Sequence, residues 1–145
     1  MRYAPFRDST EKFDNGPALA KRLNEDGYLF LRGVYPRETI MAVRARLLRL
    51  AYQGGWLRAE CDPDEALAAP EAACKDPEEQ YMRVFRTLWR DESLHRLRTH
   101  PRVMSLFERI FGEAAFVHPM FVQRNIFPST EEFDFTTKSH QDRVH

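Results

Sequence analysis

Apolar residues recur at helical spacing through most of the first 112 positions. Leu19 and Leu23 stand four apart behind Asn15, whose side chain suits a helix N-cap, and Pro17, whose missing N–H costs nothing in a first turn. Gly27 predicts the stop. Pro36 opens a second helix, in which Ile40, Val43, Leu47 and Leu50 recur at three- and four-residue steps while Arg44, Arg46 and Arg49 largely avoid the stripe. Gly54 and Gly55 end it. Tyr81, Met82, Phe85, Leu88 and Trp89 mark a third amphipathic helix, and Pro101 with Val103, Leu106, Phe107, Ile110 and Phe111 a fourth, closed by Gly112.

The pattern changes in three places. Tyr28 to Leu31 form a compact apolar run between Gly27 and Gly33, which predicts a short, largely buried strand. Residues 58–78 carry three prolines, many acids and one large aliphatic residue, Leu67, too little apolar surface to offset the entropy of ordering. A mobile loop or lid is expected there. After Gly112, AFVHPMFVQRNIF is rich in β-branched and aromatic residues, and FTTKSHQDRVH beyond the turn PSTEEFD is also extended in type. The expected class is therefore α+β, a helical front over 1–112 followed by strands over 113–145. No solenoid repeat or coiled-coil heptad interrupts this plan.

Composition narrows the function. The 145 residues match the size of one ordinary domain and exclude two full ones, with 43% hydrophobic and 30% charged residues, near the globular average. Lys+Arg and Asp+Glu both number 22 and the pI is near 7.0, so no field attracts a polyanion. Arg44, Arg46 and Arg49 then form a solvated helix face, and no nucleic-acid partner is expected. No apolar run nears the roughly 18 residues of a bilayer span, and MRYAPFRDSTEKF lacks the apolar core of a signal peptide. A cytoplasmic protein with no membrane partner is expected. Cys61 and Cys74, the only cysteines, have no CxxC spacing and no neighbouring histidines, which predicts reduced thiols and no zinc site.

The candidate chemistry lies in SHQDRVH. In an extended segment His140 and Asp142, two apart, project to one face, where one metal ion can touch both. Imidazole plus carboxylate suits a borderline divalent ion, and two histidines with one carboxylate and open positions suit non-haem Fe(II). Five histidines and nine aspartates in 145 positions give a chance His-x-Asp about 0.3 times, so the reading rests on the motif's company.

That company is DGYLFLRGVYPRETI, then HPRVMSLFERIFG, then FVQRNIFP, and finally SHQD, in the order in which similar segments occur in the phytanoyl-CoA dioxygenase family. The chain resembles that family over roughly residues 10 to 145. The resemblance implies a double-stranded β-helix, a cupin-like jelly roll, behind the N-terminal helices. It also implies an Fe(II)/2-oxoglutarate-dependent oxygenase that hydroxylates a small-molecule substrate, with His140 and Asp142 as the first two iron ligands. Gln123 and Asn125, sharing one face with Phe121 and Phe127, become candidate contacts to the co-substrate 2-oxoglutarate, with Thr137 a further candidate. A Gln and an Asn there equally suit solvent-facing or intra-sheet hydrogen-bonding roles.

The chain departs from the family in one respect. The family pattern needs a distal histidine and, about ten residues later, a basic residue for the far carboxylate of oxoglutarate. His145 lies about 16 Å along an extended strand from His140 and on the opposite face, too far for a donor that must sit about 2.1 Å from iron. His95, His100 and His118 read as surface or structural histidines. A jelly roll needs about eight strands and this stretch supplies about three. The expectation is the N-terminal part of one oxygenase domain, completed by C-terminal strands from the same or a second polypeptide and inactive alone. The alternative is a non-catalytic or degenerate oxygenase-like subunit that completes or stabilises a partner chain.

Overall fold

Local chemistry sets the ends of the first helix. Asn15 Oδ1 accepts from the Ala18 N–H at 3.1 Å, Pro17 occupies the first turn, and Gly27 takes the left-handed conformation, φ 73°, that closes α1 (Gly16–Asp26). The computed structural model describes residues 4–129. Among these, α1 is followed by α2 (Arg37–Gln53), α3 (Glu79–Trp89), α4 (Glu92–Arg98) and α5 (Pro101–Phe111). The four helices read from apolar spacing are all present. The short α4, with only Leu94 and Leu97 as aliphatic residues, had no periodic signal of its own. His100 caps α5, its Nδ1 accepting from the Arg102 N–H at 3.3 Å.

The expected strands are absent among the described residues. The run Tyr28–Leu31 forms one isolated parallel bridge, Asp8 to Phe30, with Ser9 N–H donating to the Phe30 carbonyl at 2.9 Å. The partner segment turns into a 3₁₀ helix at Thr10–Lys12, so the ladder cannot extend. The run is also half-buried rather than core. Residues 113–129 pair with no strand either, which overturns the α+β assignment with a jelly roll after the helices. Part of this stretch hydrogen-bonds to side chains instead. The Arg98 guanidinium donates to the carbonyls of His118 and Pro119, the latter at 3.4 Å, and the Met120 N–H donates to His118 Nδ1 at 3.2 Å. High β-propensity reports a fit to a pleated, half-buried surface, and it does not supply a pairing partner.

The described residues divide into two compact units, 4–44 with 92–121 and 45–91 with 122–129. In the first, α1 packs on α5 and buries Leu19 and Leu106. A Cβ at Gly16 would run into the Arg109 carbonyl, so this helix crossing requires glycine. An N-terminal strap lies along residues 28–32. The Arg7 N–H donates to the Tyr28 hydroxyl at 3.0 Å, and the Arg32 N–H donates to Thr10 Oγ1 at 2.8 Å. Asp8 accepts from the Thr10 N–H at 2.8 Å and from Arg32 Nε at 3.0 Å.

In the second unit Leu50, Trp56, Cys74, Tyr81, Val84, Leu88 and Phe127 form one apolar cluster. The end of α2 approaches α3 so closely that a Cβ at Gly54 would sit 2.6 Å from Val84 Cγ1. The segment 58–78, expected as a mobile loop, carries 3₁₀ turns at Pro63–Glu65 and Pro70–Ala72 and an antiparallel bridge from Leu57 to Ala68. It contributes small residues to the interior: Ala69 and Cys74 are buried while Leu67 is exposed. Both cysteines are free thiols. No helix among the described residues is long and apolar enough to cross a membrane.

The strap generates a pH prediction. Hydrogen bonds from Thr10, followed by the Arg32 guanidinium, hold the Asp8 carboxyl below the ordinary carboxylate range. A depressed folded-state pKa gives stability that is complete above the unfolded value of about 3.9 and is lost as pH falls through the folded value. Asp8→Asn therefore lowers the melting temperature at neutral pH, and wild type converges on the variant in acid. An unchanged gap between the two at about pH 2.5 contradicts the assignment.

Candidate functional site

The site candidates within the described residues lie on the stretch 123–127 of the second unit. Residues here alternate as an extended segment does, with Val122, Arg124 and Ile126 exposed and Gln123, Asn125 and Phe127 turned inward. Phe127 anchors one end, its ring edge-on to Trp56 at 5.5 Å between centroids. Tyr81 of α3 anchors the middle. Its ring packs against Trp56 at 5.3 Å and stacks on Phe85 at 5.7 Å, which carries the hydroxyl to the backbone of Asn125. That hydroxyl accepts from the Asn125 N–H at 3.2 Å and donates to the Asn125 carbonyl at 3.3 Å.

The structure brings Gln123 and Asn125 together as the spacing predicts. Gln123 Nε2 donates to Asn125 Oδ1 at 3.3 Å, while Gln123 Oε1 and Asn125 Nδ2 are shielded from solvent and have no hydrogen-bond partner. Turning both amides over would exchange the atoms and leave the same account. The pair uses one donor and one acceptor on itself and keeps one donor group and one acceptor unspent. Such groups cost about 1–3 kcal/mol each when left unpaired, so they favour a ligand that offers an acceptor to the amide N–H and a donor to the amide oxygen.

Thr137, His140 and Asp142 lie outside the described residues. Among the described residues no group of three His, Cys, Asp or Glu side chains could hold a metal ion. The three histidines there have structural work: His100 caps α5, His118 receives the Met120 N–H, and His95 sets its ring edge-on to Phe121 at 5.0 Å. Phe121 also lies under the Arg98 guanidinium, 4.3 Å from its ring centroid. Of Arg44, Arg46 and Arg49 on α2, Arg46 is paired with Asp91 at 2.8 Å. Burial first, then Glu78, pushes the Cys74 thiol up, which makes it a neutral core group rather than a nucleophile.

Sequence reasoning placed Tyr81 only as a core position of its helix. A signal was available, because a tyrosine in a stripe otherwise made of Val84, Phe85 and Leu88 requires a partner for its hydroxyl.

A helical front with an inward-facing amide pair on an extended segment, upstream of a His-x-Asp motif, defines the class to compare. The family model of phytanoyl-CoA dioxygenase (PhyH) matches residues 23–145, and the chain belongs to that family. It is 27% identical over 143 residues to a 1-deoxypentalenic acid 11-beta-hydroxylase of Streptomyces arenae, covering 97% of this chain and 47% of that relative. It is 28% identical over 149 residues to the enzyme of the same name from Streptomyces exfoliatus, covering 94% and 46%. The chain thus spans about half the length of the curated relatives it matches. No solved structure matches it significantly.

The packing predicts that Phe127→Ala lowers unfolding stability by about 3 kcal/mol, because it leaves a void beside Trp56. Denaturant titration checks this, and a loss below about 1 kcal/mol would show that the ring is not held in the core.

Proposed function

We propose that this chain forms part of an Fe(II)/2-oxoglutarate-dependent oxygenase that hydroxylates a small organic molecule. The observation that carries the reading is the family match, whose range, residues 23–145, includes FVQRNIFP and SHQD. The hydroxylase names of the two relatives support the reaction class. In this reading His140, as neutral imidazole, and Asp142, as carboxylate, supply two iron ligands. Gln123, Asn125 and Thr137 orient the co-substrate.

The amide pair suits 2-oxoglutarate in chemistry. Its unspent N–H group donates to a carboxylate or keto oxygen, and its unspent oxygen accepts from a hydroxyl or a water bound beside that group. Bound iron would activate O₂, the oxidant, with oxoglutarate as the co-substrate that gives up two electrons and leaves as succinate and CO₂. The chain's own residues hold the metal, align the co-substrate and keep bulk water from it.

The test is succinate release by the full-length protein with Fe(II), 2-oxoglutarate and a panel of small carboxylic acids that includes 1-deoxypentalenic acid. Release coupled to one panel member is expected, falling to background in His140→Ala and in Asp142→Ala. The 145-residue chain alone, with two ligands, holds iron weakly and turns over nothing. Absence of both iron binding and succinate release in the full-length protein would overturn the reading.

A further inference from the structure

We propose that Tyr81 is a positioning residue for the co-substrate, acting through the backbone of Asn125 on the Gln123–Asn125 amide pair. This rests on the functional reading above. The Asn125 N–H belongs to the peptide plane before its Cα and the Asn125 carbonyl to the plane after it. One phenol oxygen, bonded to both at 3.2 and 3.3 Å, therefore restrains φ and ψ of the same residue. With the backbone held, the Asn125 side chain has only its own two torsions left, and the 3.3 Å bond from Gln123 restrains those.

The clamp itself is rigid. Tyr81 is 3% exposed, and its ring has Trp56 and Phe85 against it, so the hydroxyl is placed by packing rather than by solvent. A backbone held only for stability has no need of the arrangement that follows from it. Shielded amide atoms without partners are costly, and a ligand that pairs the donor and acceptor left at 123 and 125 recovers that cost. What Tyr81 fixes is the direction in which one donor and one acceptor are offered. The segment has no strand neighbour among the described residues to fix that direction instead.

The experiment uses the full-length protein loaded with Mn(II), which occupies the iron site without turnover, and titrates 2-oxoglutarate by calorimetry. Three forms are compared: wild type, Tyr81→Phe, which removes only the hydroxyl, and Leu88→Ala, which weakens the same apolar cluster and leaves the hydroxyl and its two ring neighbours unsubstituted. Tyr81→Phe is expected to weaken oxoglutarate binding about tenfold and to speed hydrogen exchange at the Asn125 amide. Leu88→Ala is expected to lose thermal stability while its oxoglutarate affinity stays within about twofold of wild type. Added to Asn125→Ala, Tyr81→Phe should produce no further loss, because the two act as one unit.

Wild-type affinity in Tyr81→Phe, or an equal loss in Leu88→Ala, overturns the proposal and leaves Tyr81 a packing residue. Failure of the wild-type protein itself to bind oxoglutarate overturns the functional reading first and the role of Tyr81 with it. That result differs from a failure confined to the variant.

Discussion

A polypeptide segment that leaves the helical part of a chain without joining a sheet must find partners for its peptide N–H and carbonyl groups, or lose more free energy than side-chain packing returns. At Asn125 both groups meet one buried phenol, and the geometry of residues 123–127 follows from that meeting. Phe127 can then reach Trp56, Gln123 can reach Asn125, and the residues between them face outward. A tyrosine is suited to this place because its ring contributes to the apolar cluster while its oxygen both donates and accepts.

The core of the second unit serves that phenol. Trp56 and Phe85 hold its ring, and the segment after α2, which turns at Pro63–Glu65 and Pro70–Ala72, contributes the buried Ala69 and Cys74. The first unit solves a different problem. There Gly16 permits close approach of α1 and α5, and a strap tied by Asp8 and Thr10 borders residues 28–32. The family match begins at residue 23, so the strap and the first two turns of α1 lie outside the matched range although they pack on residues within it.

What could be read from the residues was what depends on neighbours in the chain. Asn15, Gly27, Pro101 and Gly112 mark helix ends because capping and φ restriction are local, and these ends fall where their chemistry predicts. The strands expected at Tyr28–Leu31 and over 113–129 do not form, because β-rich composition describes a surface, whereas a strand needs a partner elsewhere in the chain. Counting large aliphatics also undervalued 58–78, whose buried residues are an alanine and a cysteine. At the site, period-two spacing was enough to put Gln123 beside Asn125, but nothing in that spacing named Tyr81, 44 residues away, as the group that holds them. The assignments at Thr137, His140 and Asp142 came from motif resemblance, and they lie outside the described residues.

The functional reading joins two places in the chain: the amide pair at 123 and 125 and the His-x-Asp motif at 140 and 142. If they serve one reaction, the co-substrate bridges them, and a metal ion at the motif is close to both side-chain amides. The direct measurement is the NMR line width of the Gln123 and Asn125 side-chain NH₂ groups in the full-length protein as paramagnetic Mn(II) is added with 2-oxoglutarate. The account predicts that these two signals broaden selectively and that His140→Ala prevents it. Sharp signals from both amides while Mn(II) is bound at His140 and Asp142 would contradict it.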